Sequence, residues 1–270
     1  MVFLDVDGTY ALHGAAPAAH VRAVREARAA GHLVLLCTGR PLSMLPDHLM
    51  APGFDGVVAA AGAHVLFGSE VLVDVRFPAE LGARAVGVLD GAGAAYLMEA
   101  PEAVYATAAT VERLGQVFAA RRGEVAQDNT ALSDTFASIR MVDDPATVSF
   151  GKLTVMASPL SIHQLGAAIG DEVLVLPSSI PELGEGAGEI FLSGMHKAAG
   201  MRAVVERLGL DPADVVGIGD GLNDLEMLEY AGVGVAIEGS DARLLAVADR
   251  TAAGPGDEGL VRAFAELGLI

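Results

Sequence analysis

Met-Val-Phe-Leu-Asp-Val-Asp-Gly-Thr-Tyr, residues 1–10, is an apolar run that stops at an acid and turns at a glycine. Residues 1–4 read as a strand that ends at Asp5. Side chains two apart on a strand share a face, so Asp5 and Asp7 converge while Val6 points toward a packing helix. Two carboxylates this close repel unless something positive lies between them. A hard cation with oxygen ligands, most simply Mg²⁺, resolves the repulsion. Gly8 then lets the chain turn sharply and bring backbone N–H groups near an anion. Taken alone, the segment reads equally as two surface aspartates at a strand end beside a turn glycine.

Outward from this segment the chain alternates short apolar runs with helical patterns, the signature of an α/β fold in which crossover helices join parallel strands. A helix over residues 17–30 opens on Pro17 and closes at Gly31. A second strand covers residues 32–37 (HLVLLC) and a third residues 57–60, with Ala-Gly-Ala behind it at 61–63. The rhythm returns near the C-terminus: helix 196–208, strand 214–218, helix 223–229, strand 232–237 and helix 258–267. The middle differs, with strands at 94–99, 152–157 and 172–176 and helices at 109–121 and 160–169. It reads as an insertion bounded by residues 76–80 and by the Gly-rich stretch 185–188, where Pro78 gives a kink and the glycines give freedom.

Composition narrows the function classes. The 270 residues are enough for one large or two modest domains, and 52% of them are apolar, so a sizeable core can form. Lys and Arg number 17 against 35 Asp and Glu, a net charge of −18 that excludes broad attraction to nucleic acid or an anionic membrane. The single cysteine, Cys37, excludes an intramolecular disulfide and a Cys-rich zinc site. No run of 18 apolar residues occurs, and the N-terminus enters an Asp-containing strand directly, so the expectation is a cytoplasmic protein. Oligomeric state is not legible.

Two further strand ends carry chemistry. The second strand runs into Cys-Thr-Gly-Arg-Pro, which places Thr38 just past the carboxyl end of a parallel strand, where open α/β sheets bind ligands. Its hydroxyl and the N–H groups of Gly39 and Arg40 suit a phosphate oxygen, although Thr38 also reads as a helix cap before Pro41. Val-Val-Gly-Ile-Gly-Asp-Gly-Leu-Asn-Asp, residues 215–224, puts Asp220 at a strand tip and Asp224 one turn into a helix, which an N-cap aspartate also explains. A dinucleotide loop would need glycine at 222, where Leu222 stands. Lys197 lies near a helix N-terminus, against the macrodipole unless an anion is bound there.

In this order, D-x-D-G-T, T-G-R, a lysine and G-D-x-x-N-D resemble the haloacid dehalogenase (HAD) superfamily. The insertion resembles the type IIB cap of its Cof-type branch, so the resemblance spans essentially the whole chain. It implies a Rossmann-like parallel-sheet core over residues 1–79 and 187–270, and a cap over 80–186 that sets substrate specificity. The implied activity is Mg²⁺-dependent removal of phosphate from a small phosphorylated metabolite, chiefly a sugar phosphate; a phosphomutase or a non-catalytic metabolite-binding protein on the same core are the rivals. Carried over residue by residue, Asp5 is the nucleophile and Asp7 the general acid and base. Thr38 and Lys197 grip phosphate along with Gly8, Gly39, Arg40 and Asn223. Asp5, Asp220 and the Asp7 carbonyl hold the metal, with Asp224 behind them. The sequence departs from the pattern at Tyr10, usually aliphatic and placed to alter the site entrance, and at Ala61, usually asparagine. Glu99, Lys152 and His163 are the polar candidates of the insertion, none better than its neighbours.

Overall fold

The computed structural model describes residues 1–120, 138–178 and 180–270. These form two compact units. The first comprises Met1–Arg40, Leu45–Asp74 and His196–Ile270, and the second Pro41–Met44 and Val75–Met195.

The chain opens the first unit with β1 (Val2–Leu4), α1 (Ala18–Ala29), β2 (Val34–Cys37), a short α2 (Asp47–Met50), β3 (Gly56–Ala59), β4 (His64–Phe67) and β5 (Glu70–Asp74). In the second unit it forms α3 (Ala79–Gly91), β6 (Ala95–Glu99), β7 (Val104–Ala106), α4 (Ala108–Ala120), β8 (Ile139–Met141), β9 (Lys152–Ala157), α5 (Ile162–Ile169), β10 (Val173–Pro177) and β11 (Gly188–Leu192). It returns to the first with α6 (Lys197–Leu208), β12 (Val216–Gly219), α7 (Leu225–Tyr230), β13 (Val233–Ile237), α8 (Ala242–Val247), β14 (Arg250–Ala252) and α9 (Gly259–Glu266).

The first unit is a sheet in the order β14-β13-β12-β1-β2-β3-β4-β5, parallel from β14 to β3. β1 to β3 are buried at every position, which is why they read as unbroken apolar runs rather than alternations. Phe3, Leu35 and Cys37 pack on one face against Met201, Val204 and Val205 of α6. α1 shows the helical period directly, burying Ala19, Ala23, Val24 and Ala27, and His20 on the same stripe accepts the N–H of Leu260 in α9. The expected elements of this unit are all present. The β4–β5 hairpin is additional: two antiparallel strands at the sheet edge, where β5 is too lightly buried to show a strong pattern.

The second unit is a sheet in the order β10-β11-β9-β6-β7-β8, antiparallel except between β7 and β8. Tyr96, Met98, Leu153, Val155 and Ile190 pack on one face against α3 and α5. Its strands at 94–99, 152–157 and 172–176 match expectation, while the expected helix end at Arg121 lies outside the described residues. The boundary needs correction. β11 is hydrogen-bonded between β9 and β10, so the unit runs to Met195 and not to residue 186. Nor are the glycines at its start loose: a Cβ on Gly186, just before β11, would sit 2.2 Å from the Ser158 carbonyl oxygen, and one on Gly188, its first residue, 2.3 Å from that of Leu176. They are there for close backbone approach.

Glu99 and Lys152, which the sequence could not separate from their neighbours, meet in this sheet. The Lys152 ammonium lies 2.9 Å from Glu99 and 2.6 Å from Glu189, and Thr154 donates to Glu99 at 2.6 Å. His163 is exposed on α5. Burial raises the Glu99 carboxyl above its ordinary range, more than Lys152 lowers it. Removing the lysine strands two carboxylates, so Lys152→Met should cost about 3–5 kcal/mol at neutral pH in thermal melts. A carboxyl whose folded-state pKa is raised loses stability as pH rises, so that deficit should shrink as the pH is lowered from 7 toward 5.

Candidate active site

β1, β2 and β12 are neighbours, and their carboxyl ends lie level because Leu4 pairs with both Leu36 and Ile218. The strand order reverses at β1: the chain adds β2 and β3 on one side and later β12 to β14 on the other. Such a switch point is where an open parallel sheet leaves a crevice for ligand. Asp5, Thr38 and Asp220 stand at these three tips, and α6 brings Lys197 beneath them.

Lys197 is fully buried, and its ammonium donates to Asp5 Oδ1 at 2.6 Å and to Asp224 Oδ1 at 2.5 Å. Burial opposes its charge, but Asp224 and Asp5 outweigh that and hold its pKa above the ordinary lysine value. Asp224 is spent on support: its second oxygen accepts the backbone N–H groups of Asp220 and Gly221. Asn223 is half-buried on the same turn. Asp220 accepts the Thr9 hydroxyl at 2.8 Å. Asp5 is raised well above the ordinary carboxyl value by burial, with Lys197 opposing and the Asp224 and Asp220 carboxylates adding. Asp220 is raised by burial too.

Carboxylate oxygens of Asp5, Asp220 and Asp224 lie within 4.8 Å of one another. Three carboxylates against one ammonium leave an excess of two negative charges, which suits a divalent cation with oxygen ligands. Since both Asp224 oxygens are engaged, Asp5 and Asp220 are the side chains fitted to hold it. The Asp7 carboxylate is not in this group, so Asp7 could contribute only its carbonyl.

Instead, the Asp7 carboxylate is held by Arg40, whose Nε donates to Oδ2 at 2.7 Å and Nη2 to Oδ1 at 2.6 Å. The Arg40 backbone N–H donates to Thr38 Oγ1 at 3.1 Å. That leaves the buried Thr38 hydroxyl its own proton to give an anion, while the Arg40 N–H is turned to Thr38 and its guanidinium to Asp7. Gly8 is engaged likewise. Its N–H donates to the Ala11 carbonyl, because the turn after β1 closes on itself. What demands glycine there is space: φ is +86°, and a Cβ would lie 2.2 Å from Asp220 Oδ2. Gly39 stays in the loop between Thr38 and Arg40.

Several residues were missed or misread. Thr9, buried and bonded to Asp220, was legible only as part of D-x-D-G-T. Tyr10 is wholly buried, edge-on to Phe54 at 5.4 Å, and is not at any entrance. Cys37, by contrast, is the buried strand residue its apolar run implies, and burial pushes its thiol pKa up. Ala60 and Ala61 both adopt left-handed backbone, φ +48° and +54°, at a cost of roughly 1–2 kcal/mol each. Their N–H groups donate to the carbonyls of Arg40 and Thr38, and a Cβ on the next residue, Gly62, would lie 2.5 Å from the His196 carbonyl oxygen. One strained turn therefore fastens both the Thr38 loop and the start of α6.

Over residues 2–264 the chain matches the family described as haloacid dehalogenase-like hydrolase, and it belongs to that family of enzymes. The resemblance carried by the four motifs is thereby borne out. The chain is 27% identical to the putative phosphatase YkrA of Bacillus subtilis, covering 100% of this chain and 98% of that one. It is 26% identical to a putative bifunctional phosphatase/peptidyl-prolyl cis-trans isomerase of Streptococcus pyogenes, of which it spans 54%. Among solved structures, it superposes on the HAD subclass IIB sugar phosphatase BT4131 with a TM-score of 0.81 at 20% identity, covering 100% and 99% of the two chains. The phosphatase BT1666 from Bacteroides thetaiotaomicron gives 0.77 at 21%, covering 100% and 95%. The fold is the HAD fold, and among the described residues no helix is long and apolar enough to cross a membrane.

Because any side chain on Gly8 must displace Asp220, Gly8→Ala should weaken divalent-cation binding about 10- to 100-fold by titration calorimetry. Gly87→Ala, on a helix with open space around it, should leave that affinity unchanged.

Proposed function

We propose that this protein is a Mg²⁺-dependent phosphohydrolase that removes phosphate from a small phosphorylated metabolite, a sugar phosphate, through an aspartyl-phosphate (acyl phosphate) intermediate on Asp5. The observation that carries this reading is the buried Lys197 ammonium, set between Asp5 and Asp224 at the switch point of the sheet. It holds Asp5 in a fixed orientation and supplies positive charge where a phosphoryl group must come up to a carboxylate. A bound Mg²⁺, held by Asp5, Asp220 and the Asp7 carbonyl, would polarise the phosphoryl group and offset its repulsion from the acids.

The chain's own residues divide the remaining work. Asp5 attacks phosphorus, the bond to the leaving oxygen breaks with its electron pair, and Asp7 gives that oxygen a proton. Asp7 then takes a proton from water, which attacks the phosphorus and frees Asp5. The Thr38 hydroxyl and Lys197 stabilise the phosphoryl oxygens, Gly39 lies in the same loop, and Asn223 and Asp224 keep the metal side and Lys197 in place. Selection among phosphorylated metabolites belongs to the second unit, and the family suggests action in the cytoplasm without nucleic acid or membrane as partner.

The test is phosphate release from 4-nitrophenyl phosphate and a panel of sugar phosphates. Turnover should require Mg²⁺, stop in chelator, vanish in Asp5→Asn, and fall about 10²- to 10⁴-fold in Asp7→Asn. Full activity in chelator would overturn the reading, as would transfer of the phosphate to another hydroxyl, or tight binding of sugar phosphates with no release.

A further inference from the structure

We propose that Arg40 is a positioning residue for Asp7: its guanidinium fork sets the carboxylate that handles the leaving-group and water protons, and it is not a ligand of the phosphate. This rests on the phosphohydrolase reading above. Asp7 is the least confined member of the site, its side chain half exposed, whereas Arg40 is buried. An exposed aspartate left to itself samples several rotamers. Here both of its oxygens are caught by two parallel N–H donors, the geometry in which arginine specifies direction as well as charge.

The fork is itself anchored. The Arg40 N–H is bonded to Thr38 Oγ1 and its carbonyl accepts the N–H of Ala60 in the left-handed turn behind β3. A continuous path thus runs from the turn through the Arg40 backbone to the guanidinium and on to Asp7. The positive charge beside Asp5 comes from Lys197, so the site does not need Arg40 for that purpose. Proton transfer tolerates little misplacement, and an error of about 1 Å can cost 10²-fold in rate.

Leaving-group dependence separates this role from phosphate binding. In the first step a sugar hydroxylate must be protonated as it leaves, whereas 4-nitrophenolate departs without help. Arg40→Met should lower kcat on a sugar phosphate about a hundredfold with little change in KM. On 4-nitrophenyl phosphate it should leave the first step fast and slow the second, so that an initial burst of nitrophenolate precedes steady turnover. Arg40→Lys restores the charge without the fork and should recover little of the loss; it also carries the comparison should Arg40→Met not fold. In an Asp7→Asn background, Arg40→Met should add nothing, the sign of two residues acting through one function. Equal losses on both substrates with a raised KM, additive to Asp7→Asn, would make Arg40 a phosphate ligand and overturn the proposal. A wild-type protein inert toward every phosphate ester would instead sink the phosphohydrolase reading itself.

Discussion

An ammonium with no access to water sits between two carboxylates at the heart of the first unit, and most of its local architecture serves that contact. Isolating such a charge from solvent costs several kcal/mol unless its partners are close and fixed. Asp5 is fixed by the main-chain bond from its N–H to the Ile218 carbonyl. Asp224 is fixed by the two amides it accepts, and Lys197 by a helix whose first turn abuts Gly62. Each support lies on a different stretch of chain, so the ion pair forms only when β1, β12 and α6 are all in place.

Most of this was legible in the amino-acid order. Strands buried on both faces appear as apolar runs, and an acid at the end of such a run marks a strand tip, so Asp5, Thr38 and Asp220 could be placed from β1, β2 and β12 alone. What stayed hidden depends on contacts between distant segments. Nothing near Gly8 in sequence announces Asp220 beside it, and a loop N–H looks available until its own turn consumes it. Gly186 and Gly188 show the same failure from the other side. Glycine is chosen both for freedom and for tightness, and only the neighbouring backbone tells which. Glu99 and Lys152 read as no better than their neighbours because their pairing depends on strand register.

The charge pattern resolves an apparent conflict between a protein of net charge −18 and an anionic ligand. At physiological ionic strength, exposed charges are largely screened beyond about 8 Å, so the bulk of the acidity is barely felt inside the crevice. What counts there is the local balance. Asp5, Asp220 and Asp224 face the one ammonium of Lys197 while Asp7 pairs with Arg40, and the excess of two negative charges is what a divalent ion would offset. On the metal-dependent reading proposed above, the acidic cluster recruits the cation, and the phosphoryl group enters a site whose charge the ion has offset.

The position of β1 between β2 and β12 has a consequence for how the polypeptide is made. Its β2 edge can be paired as soon as residues 34–37 have left the ribosome, but the other edge waits until residues 216–219 have been synthesised. At about 5–20 residues per second, that delay is roughly ten to forty seconds. For that interval Val2, Phe3 and Leu4 present an unpaired apolar edge, while the second unit, emerging in between, can complete its own sheet. The nascent first unit thus keeps one open strand edge until its C-terminal half, His196–Ile270, appears, and truncations that remove β12 should accumulate as insoluble chains rather than as a folded fragment.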